Sequence, residues 1–242
     1  MSGTVFIAGA SGAVGRPLCR LLVADGWHVV GTTRSAERAA ALKALDVEPV
    51  VVDVFDARRL ADAVATARPD VVIHQLTDLP YGLDPSKMEA AAERNGRIRD
   101  EGTRNLVAAA VGAGVKRLIA QSIAFAYAPG PQPFVEESPL NIDAAGRPGL
   151  SARSARALEE QVLAAPLEGI VLRYGRFYGP CTGFDAPPRG GPVHVEAAAD
   201  AARRAVTRGE PSIYNVAEDD GTVSSAKAVA LLGWRPSFRI ES

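Results

Sequence analysis

Three glycines spaced three residues apart follow the first apolar run of the chain. The run Val5–Ala8 predicts a strand, and the stretch that ends at Ala24 predicts a helix, so the glycines lie at a strand–turn–helix junction. In such a unit the first glycine permits a tight turn, the second lets the backbone approach a pyrophosphate, and the third lets the helix lie close to the strand. The N–H groups at the start of the helix favour phosphate charge. We therefore expect a dinucleotide-binding turn whose cofactor contacts are Gly9, Ser11, Gly12, Ala13, Val14 and Gly15.

Short apolar runs alternate with Ala-rich helical stretches up to about residue 125. Runs such as Val29–Thr32, Val71–His74 and Leu118–Gln121 do not alternate with polar residues, which is typical of strands covered on both faces. Strands that alternate with helices favour a parallel sheet with right-handed crossovers. The predicted fold is α/β, a Rossmann-type doubly wound parallel sheet with a small, reduced C-terminal substrate-binding subdomain. We expect the dinucleotide-binding domain over residues 1–178 and the subdomain over residues 179–242, partly interleaved with the first.

The pattern after the fourth strand is less regular. A long helix is predicted over Pro85–Ala113, and the proline-rich residues 128–150 predict a loop. Helices are predicted over Ser151–Ala164 and Ser224–Leu231, and the Gly- and Pro-rich residues 179–192 predict a loop or lid.

Composition excludes several classes of function. The chain of 242 residues has 27 basic and 28 acidic residues, a balance that argues against a general binder of nucleic acid or acidic membranes. No apolar run reaches the roughly 18 residues of a membrane helix, and the N-terminus lacks a signal-peptide pattern. Two cysteines make no disulfide framework, so a cytoplasmic protein is expected. Close spacing of metal ligands is absent from the sequence, and we expect no metal site.

The end of the second predicted strand bears on the choice of cofactor. NAD-preferring proteins usually carry an acid there, but this chain has Thr33 at that position, 18 residues after Gly15. Arg34, and Arg38 one helical turn later, can pair with a 2′-phosphate through their guanidinium groups. We therefore predict that NADP(H) is preferred over NAD(H).

Further segments resemble the extended branch of the short-chain dehydrogenase/reductase superfamily, the NAD-dependent epimerase/dehydratase family. The resemblance implies that Asp53 and Val54 contact adenine and that Leu76 and Thr77 lie near the nicotinamide ribose. Gln121 and Tyr174 are also expected to contact the cofactor. The segments that carry the resemblance are Asp53-Val54, Val71–Thr77, Glu101–Leu106, Leu172–Pro180 and Leu232–Pro236.

The chain departs from this family at the catalytic positions. The Tyr-x-x-x-Lys pair of the family falls on Ser151 and Ala155, and the supporting Asn falls near Arg99. The family's catalytic Ser falls on Ile123, so Ser122 is one residue out of register. These departures indicate an atypical member. The replacement candidates are Tyr127 and Ser122 for catalysis, and Arg176, Tyr178 and Tyr81 for substrate contact, although each of them also fits a packing or capping role.

Two functions of different classes fit this sequence. The first is an NAD(P)-binding oxidoreductase or epimerase/dehydratase-like enzyme that acts on a carbonyl or sugar-like small molecule without the usual Ser/Tyr/Lys set. The second is a non-catalytic NADP(H)-binding sensor or regulatory protein. The resemblance also implies a homodimer, formed through the helix that ends near Ala113 and the helix Ser151–Ala164.

Overall fold

Strands and helices alternate along the chain in the computed structural model, which describes residues 3–240. Met1 and Ser2, which belong to the N-terminal stretch expected to lack a signal-peptide pattern, lie outside the described residues. The strands are β1 (Thr4–Ala8), β2 (His28–Thr33), β3 (Glu48–Val51), β4 (Val71–His74), β5 (Arg117–Ile123), β6 (Glu168–Tyr174), β7 (Arg176–Tyr178), β8 (Pro192–His194) and β9 (Ser212–Val216). The α-helices are α1 (Gly15–Ala24), α2 (Ala36–Lys43), α3 (Ala57–Ala67), α4 (Met88–Arg97), α5 (Thr103–Gly112), α6 (Gly146–Ala164) and α7 (Val195–Ala205).

Seven of these strands form one parallel sheet in the order β3-β2-β1-β4-β5-β6-β9. The chain order reverses between β1 and β4, so the loops after these strands diverge and leave a crevice at the carboxyl edge. The strands pair in register, for example Ile7 with Ile73 and Ile73 with Ile119. The predicted Rossmann-type doubly wound sheet is confirmed. β7 and β8 form a separate two-stranded parallel sheet that the sequence pattern did not predict.

Apolar side chains cover both faces of the large sheet, which explains why its strands lack alternation. On one face α1 and α7 pack together over a core that includes Leu18, Leu22 and Tyr214. On the other face α3, α5 and α6 pack over Leu60, Leu106 and other apolar residues. Trp234, which is fully buried, donates its indole N–H to the Ala197 carbonyl oxygen at 2.8 Å and fixes the segment around it to α7.

Several boundaries differ from the sequence predictions. α6 begins at Gly146, five residues before Ser151, because Pro148 lies in the first turn of the helix, where a missing N–H costs no hydrogen bond. The long helix predicted over Pro85–Ala113 is split into α4 and α5 by a π-helical turn, Ile98–Gly102. The last predicted helix consists mainly of a second π-helical turn, Ala228–Leu232. Within residues 3–240 no helix is both long enough and apolar enough to span a membrane.

Candidate cofactor and substrate site

A cavity of about 680 Å³ lies at the carboxyl edge of the sheet. It extends from the glycine turn after β1, past the ends of β4, β5 and β6, to the loop that follows β7. Five arginines and one aspartate are the charged side chains that line it among the described residues, whereas the whole chain has a net charge of −1. The cavity is thus suited to an anionic occupant. Its charged lining residues are Arg16, Arg34, Arg38, Asp78, Arg99 and Arg176.

The glycine turn has the geometry that a pyrophosphate requires. Gly9 adopts a φ of +92°, and its N–H donates to Thr32 Oγ1 at 3.1 Å. A Cβ on Gly15 would overlap the carbonyl oxygen of Gly9, so only glycine lets α1 lie this close to β1. A Cβ on Gly12 would meet one atom within 4 Å, the Gly9 oxygen at 3.3 Å, and the missing side chain leaves the turn open to the cavity. This cradle fits a dinucleotide phosphate.

A buried amide beside the turn also lacks a partner. Gln75 Nε2 donates to the Tyr174 hydroxyl at 3.2 Å, whereas Gln75 Oε1 has no hydrogen-bond partner among the described residues. Both side chains line the cavity. Buried polar atoms are normally satisfied, so the Gln75–Tyr174 pair fits a bound group with a hydrogen-bond donor.

An ion-pair cluster joins the end of β2 to the loop after β4. Arg34 Nη2 lies 3.2 Å from Asp78 Oδ1, and Arg94 Nε lies 3.0 Å from Asp78 Oδ2. Partial burial acts to raise the pKa of Asp78, but the hydrogen bonds and charges of Arg34 and Arg94 outweigh this effect and lower it. The cluster keeps one positive charge in excess at the rim of the cavity.

Eight of the expected cofactor contacts line the cavity, and six do not. Those that line it are Ser11, Gly12, Ala13, Val14, Arg34, Thr77, Gln121 and Tyr174. Gly9 and Gly15 are the first and last glycines of the turn, and Thr33 Oγ1 accepts hydrogen bonds from Ser11 Oγ and the Ser35 N–H, both at 3.4 Å. The other three side chains outside the cavity lining are Asp53, Val54 and Leu76.

Asp53 and Val54 are engaged locally. Asp53 Oδ1 accepts the Phe55 N–H at 2.9 Å, and the buried Val54 packs against Gly102. Leu76 donates its backbone N–H to His74 Nδ1 at 3.2 Å.

Two of the three expected substrate contacts also line the cavity. Arg176 stacks over the Phe125 ring at 4.7 Å, and Tyr81 is 77% exposed at the rim. Tyr178 is placed elsewhere. Its hydroxyl lies 2.8 Å from Glu218 Oε1 and accepts a hydrogen bond from Arg239 Nη2 at 2.8 Å.

The two residues expected to be catalytic, Tyr127 and Ser122, lie outside the cavity lining in a buried network. Ser122 Oγ donates to Glu159 Oε1 at 2.6 Å, and Tyr127 donates to Asn215 Oδ1 at 2.6 Å. Arg173 joins the two parts, because it donates to both Glu159 oxygens and to the Tyr127 hydroxyl. The strand alternation of β5 turns Gln121 and Ile123 toward the cavity and Ser122 away from it. Both hydroxyls are therefore occupied by buried partners and turned away from the cavity.

Arg99 is a charged cavity residue that was not among the sequence candidates. It lies in the π-helical turn, and its Nη1 donates to Ser154 Oγ at 3.3 Å and to the Ser151 carbonyl oxygen at 3.4 Å. Burial lowers the pKa of Arg99 to about 10, and the Glu159 charge opposes this effect. Burial, and then the Arg99 charge, lower the pKa of nearby His74 to about 4, so His74 is neutral at pH 7. The sequence did contain one indication of a role for Arg99, because the family's supporting Asn falls near this position.

Comparisons with known proteins agree with this geometry. Residues 9–209 match the family model described as NAD(P)H-binding. The chain is 38% identical over 272 aligned positions to a 3-diazoavenalumate denitrifying reductase from a Streptomyces species, covering 95% of this chain and 87% of the relative. The UDP-glucose 4-epimerase of Thermotoga maritima, solved with UDP-glucose, has a TM-score of 0.77 at 16% identity and covers 98% of this chain and 94% of its own.

A second epimerase structure gives the same fold. The UDP-glucose 4-epimerase of Thermus thermophilus, solved with NAD, has a TM-score of 0.76 at 20% identity and covers 98% of this chain and 95% of its own. The family resemblance predicted from the sequence is confirmed. The chain belongs to the NAD(P)H-binding family, and its fold is that of the extended short-chain dehydrogenase/reductases.

Proposed function

We propose that this protein is an NADP(H)-dependent reductase that replaces the diazonium group of a small aryl carboxylate with hydrogen. The observation that carries the proposal is the lining of the cavity. It contains the open glycine turn, five arginines and several aromatic rings. No lysine is part of that lining within residues 3–240. The relative that is 38% identical over nearly the whole chain is a denitrifying reductase of a diazo acid.

The chemistry of diazonium removal suits a site with Ser151 and Ala155 at the positions of the family's Tyr and Lys. Reduction of a carbonyl consumes a hydride and a proton, so it needs a general acid. Replacement of a diazonium group consumes a hydride alone. The hydride supplies the two electrons and the hydrogen of the new C–H bond, the C–N bond breaks, and dinitrogen leaves. No net proton is taken up, and no Tyr–Lys pair is required.

The residues of the chain position the reactants. The turn at Gly9, Gly12 and Gly15 would hold the pyrophosphate of the cofactor, and Arg34 would pair with its 2′-phosphate. A bound nicotinamide would supply the hydride. Phe125, Phe177 and the loop residue Phe184 line the cavity and exclude water from the aromatic substrate. In this proposal residues 179–242 form the smaller, substrate-binding part of the protein.

The test uses purified protein, NADPH and 4-carboxybenzenediazonium. We expect protein-dependent oxidation of NADPH, with benzoate and dinitrogen formed in equal amounts, above a blank without protein. The matched control is 4-carboxybenzaldehyde, which has the same ring and carboxylate but needs a proton for reduction. Oxidation of NADPH with the aldehyde and not with the diazonium ion would favour the carbonyl reductase expected from the sequence. No reaction with either compound, despite NADPH binding, would favour the non-catalytic sensor.

Arg34 is expected to determine the preference for NADP(H). Arg34→Gln removes one charge-assisted hydrogen bond from a side chain that is 54% exposed, so the affinity for NADPH should fall about tenfold while that for NADH stays the same. Asp78→Asn releases Arg34 from its ion pair and should shift the affinity for NADPH in the opposite direction. Fluorescence titration measures both values, with Arg58→Gln on α3 as the control outside the cavity. An equal loss of affinity for NADH and NADPH would contradict this role.

We also propose that two copies associate through α5 and α6. Val111 on α5 is 39% exposed and Leu163 on α6 is 41% exposed, and they provide apolar side chains for a two-fold helix bundle. Light scattering at micromolar concentration should give the mass of a dimer. A monomer mass would rule out this arrangement.

A further inference from the structure

Arg99 reaches the cavity because the helix around it is irregular. The segment from Met88 to Gly112 winds as α4, then as the π-helical turn Ile98–Gly102, then as α5. A π-helical turn inserts an extra residue and shifts the side chains out of α-helical register, and such turns often occur at functional sites. Arg97, two residues earlier, is oriented outward, where it pairs with Glu101 at 2.6 Å and stacks over Phe55. Arg99 lines the cavity instead.

The guanidinium of Arg99 is held on one side only. Nη1 is fixed to α6 through Ser154 Oγ and the Ser151 carbonyl oxygen, and Ser154 Oγ is itself bonded to that carbonyl at 3.1 Å. Within residues 3–240, Nε and Nη2 of Arg99 have no hydrogen-bond partner. The arginine is therefore oriented before any ligand binds. Its Nε and Nη2 are left to donate hydrogen bonds to a ligand.

The charge of Arg99 has no paired anion in the described structure. Glu159 is the nearby carboxylate, but both of its oxygens bind Arg173, at 2.8 and 2.7 Å, and one also accepts from Ser122. Gln121, Ile123 and Phe125, which line the same cavity, are uncharged, and the acidic lining residue Asp78 is already paired with Arg34 and Arg94. His74 is neutral and hydrogen-bonds Thr103 at 3.1 Å. A cation enclosed in such surroundings favours an incoming anion, and the planar fork of a guanidinium matches a carboxylate.

We infer that Arg99 binds the carboxylate of the substrate and is a specificity-determining residue of this enzyme. This inference rests on the proposed function, because the substrate class named there is an aryl carboxylate. Arg16, Arg34 and Arg38 line the cavity together with the residues of the glycine turn and would serve the phosphates of a bound cofactor. Arg99 is held by α6 instead. This leaves Arg99 for the anion of the substrate.

The experiment measures binding of cinnamate and of cinnamamide by calorimetry, with the protein saturated with NADP⁺. Cinnamate has an aromatic ring and a carboxylate but no diazo group, and cinnamamide lacks only the charge. The wild-type protein should bind cinnamate about 10- to 100-fold more tightly than cinnamamide. Arg99→Gln should remove this preference, Arg99→Lys should retain part of it, and the matched control Arg97→Gln should retain it fully. Thermal unfolding verifies that each variant is folded.

Three results would overturn the inference. The wild-type protein could bind both compounds equally, Arg99→Gln could keep the preference for cinnamate, or Arg99→Gln could weaken NADPH binding to the same extent, which would assign Arg99 to the cofactor. The reaction with benzenediazonium, which has no carboxylate, separates this inference from the proposed function. Turnover of that compound without any preference for cinnamate refutes only the role of Arg99. A preference for cinnamate that depends on Arg99, without turnover of either diazonium ion, refutes only the denitrifying activity.

Discussion

Replacing Glu159 with glutamine is expected to lower the free energy of unfolding by about 3–5 kcal/mol. Glu159 and Arg173 are each 5% exposed and form a two-point ion pair, with Arg173 Nη2 2.7 Å from Glu159 Oε2. Burial acts to lower the pKa of Arg173, but the hydrogen bonds and charge of Glu159 outweigh this effect and raise it. Glutamine would leave the Arg173 cation buried without its counter-charge. Urea denaturation followed by circular dichroism measures the loss.

The adjacent residue provides the control for this prediction. Glu160 lies on the same helix and faces Arg156 at 3.6 Å, but the two side chains are 71% and 49% exposed. Glu160→Gln should therefore change the free energy of unfolding by less than about 0.5 kcal/mol. The double variant Arg173→Met with Glu159→Leu should be more stable than Glu159→Gln alone, because no unpaired charge stays buried. Equal stability of the Glu159 and Glu160 variants would show that the buried pair contributes little.

Gly15→Ala is expected to destabilise the protein by about 3 kcal/mol and to reduce NADPH affinity more than tenfold. The added Cβ would overlap the Gly9 carbonyl oxygen and lie 2.6 Å from the Ala10 carbonyl oxygen. Both are backbone atoms of the cofactor turn, so the clash cannot be relieved by rotation of a side chain. α1 must move away from β1, and the turn that receives the pyrophosphate opens. Thermal unfolding and NADPH fluorescence titration measure the two effects.

Gly112→Ala is the matched substitution at a site without such contacts. Gly112 ends α5, and a Cβ there meets no atom within 4 Å. Alanine should raise the stability by up to about 1 kcal/mol and leave NADPH binding unchanged. A Gly15→Ala variant with the unfolding temperature and NADPH affinity of the wild-type protein would contradict the close approach of α1 to β1.

The central strands of the fold were predictable because the pattern that marks them, a continuous run of apolar residues, lies within each strand. β1, β4 and β5 are covered on both faces, and this burial produces continuous apolar runs such as Val71–His74. The helix irregularities were not predictable in the same way. The π-helical turn Ile98–Gly102 packs against α6, and no residue pattern marks it. The start of α6 at Gly146 was also missed, because proline was taken as a loop signal although it suits a first helical turn.

The site residues show the same difference between features set by local sequence and features set by distant contacts. The glycine turn was predictable because three glycines have one stereochemical use at a strand–helix junction. Tyr127 and Ser122 were chosen by their expected place near the end of the fifth strand, yet a side chain's direction is set by its partners. Asn215 and Glu159, which hold these two hydroxyls, lie 88 and 37 residues away in sequence. Arg99 was overlooked for the same reason, since its role depends on a helix register that only the folded chain shows.

The position of β9 at the edge of the sheet bears on how the protein is made. β9 pairs with β6 although it comes near the end of the chain, and Trp234 covers α7 from an even later position. During synthesis on the ribosome, β1–β6 emerge first, and β6 then presents an unpaired edge until residues 212–216 follow. The nascent chain therefore passes through a stage with an open strand edge and an uncovered helix face. Chaperone binding and aggregation of incomplete chains are expected to concentrate at that stage.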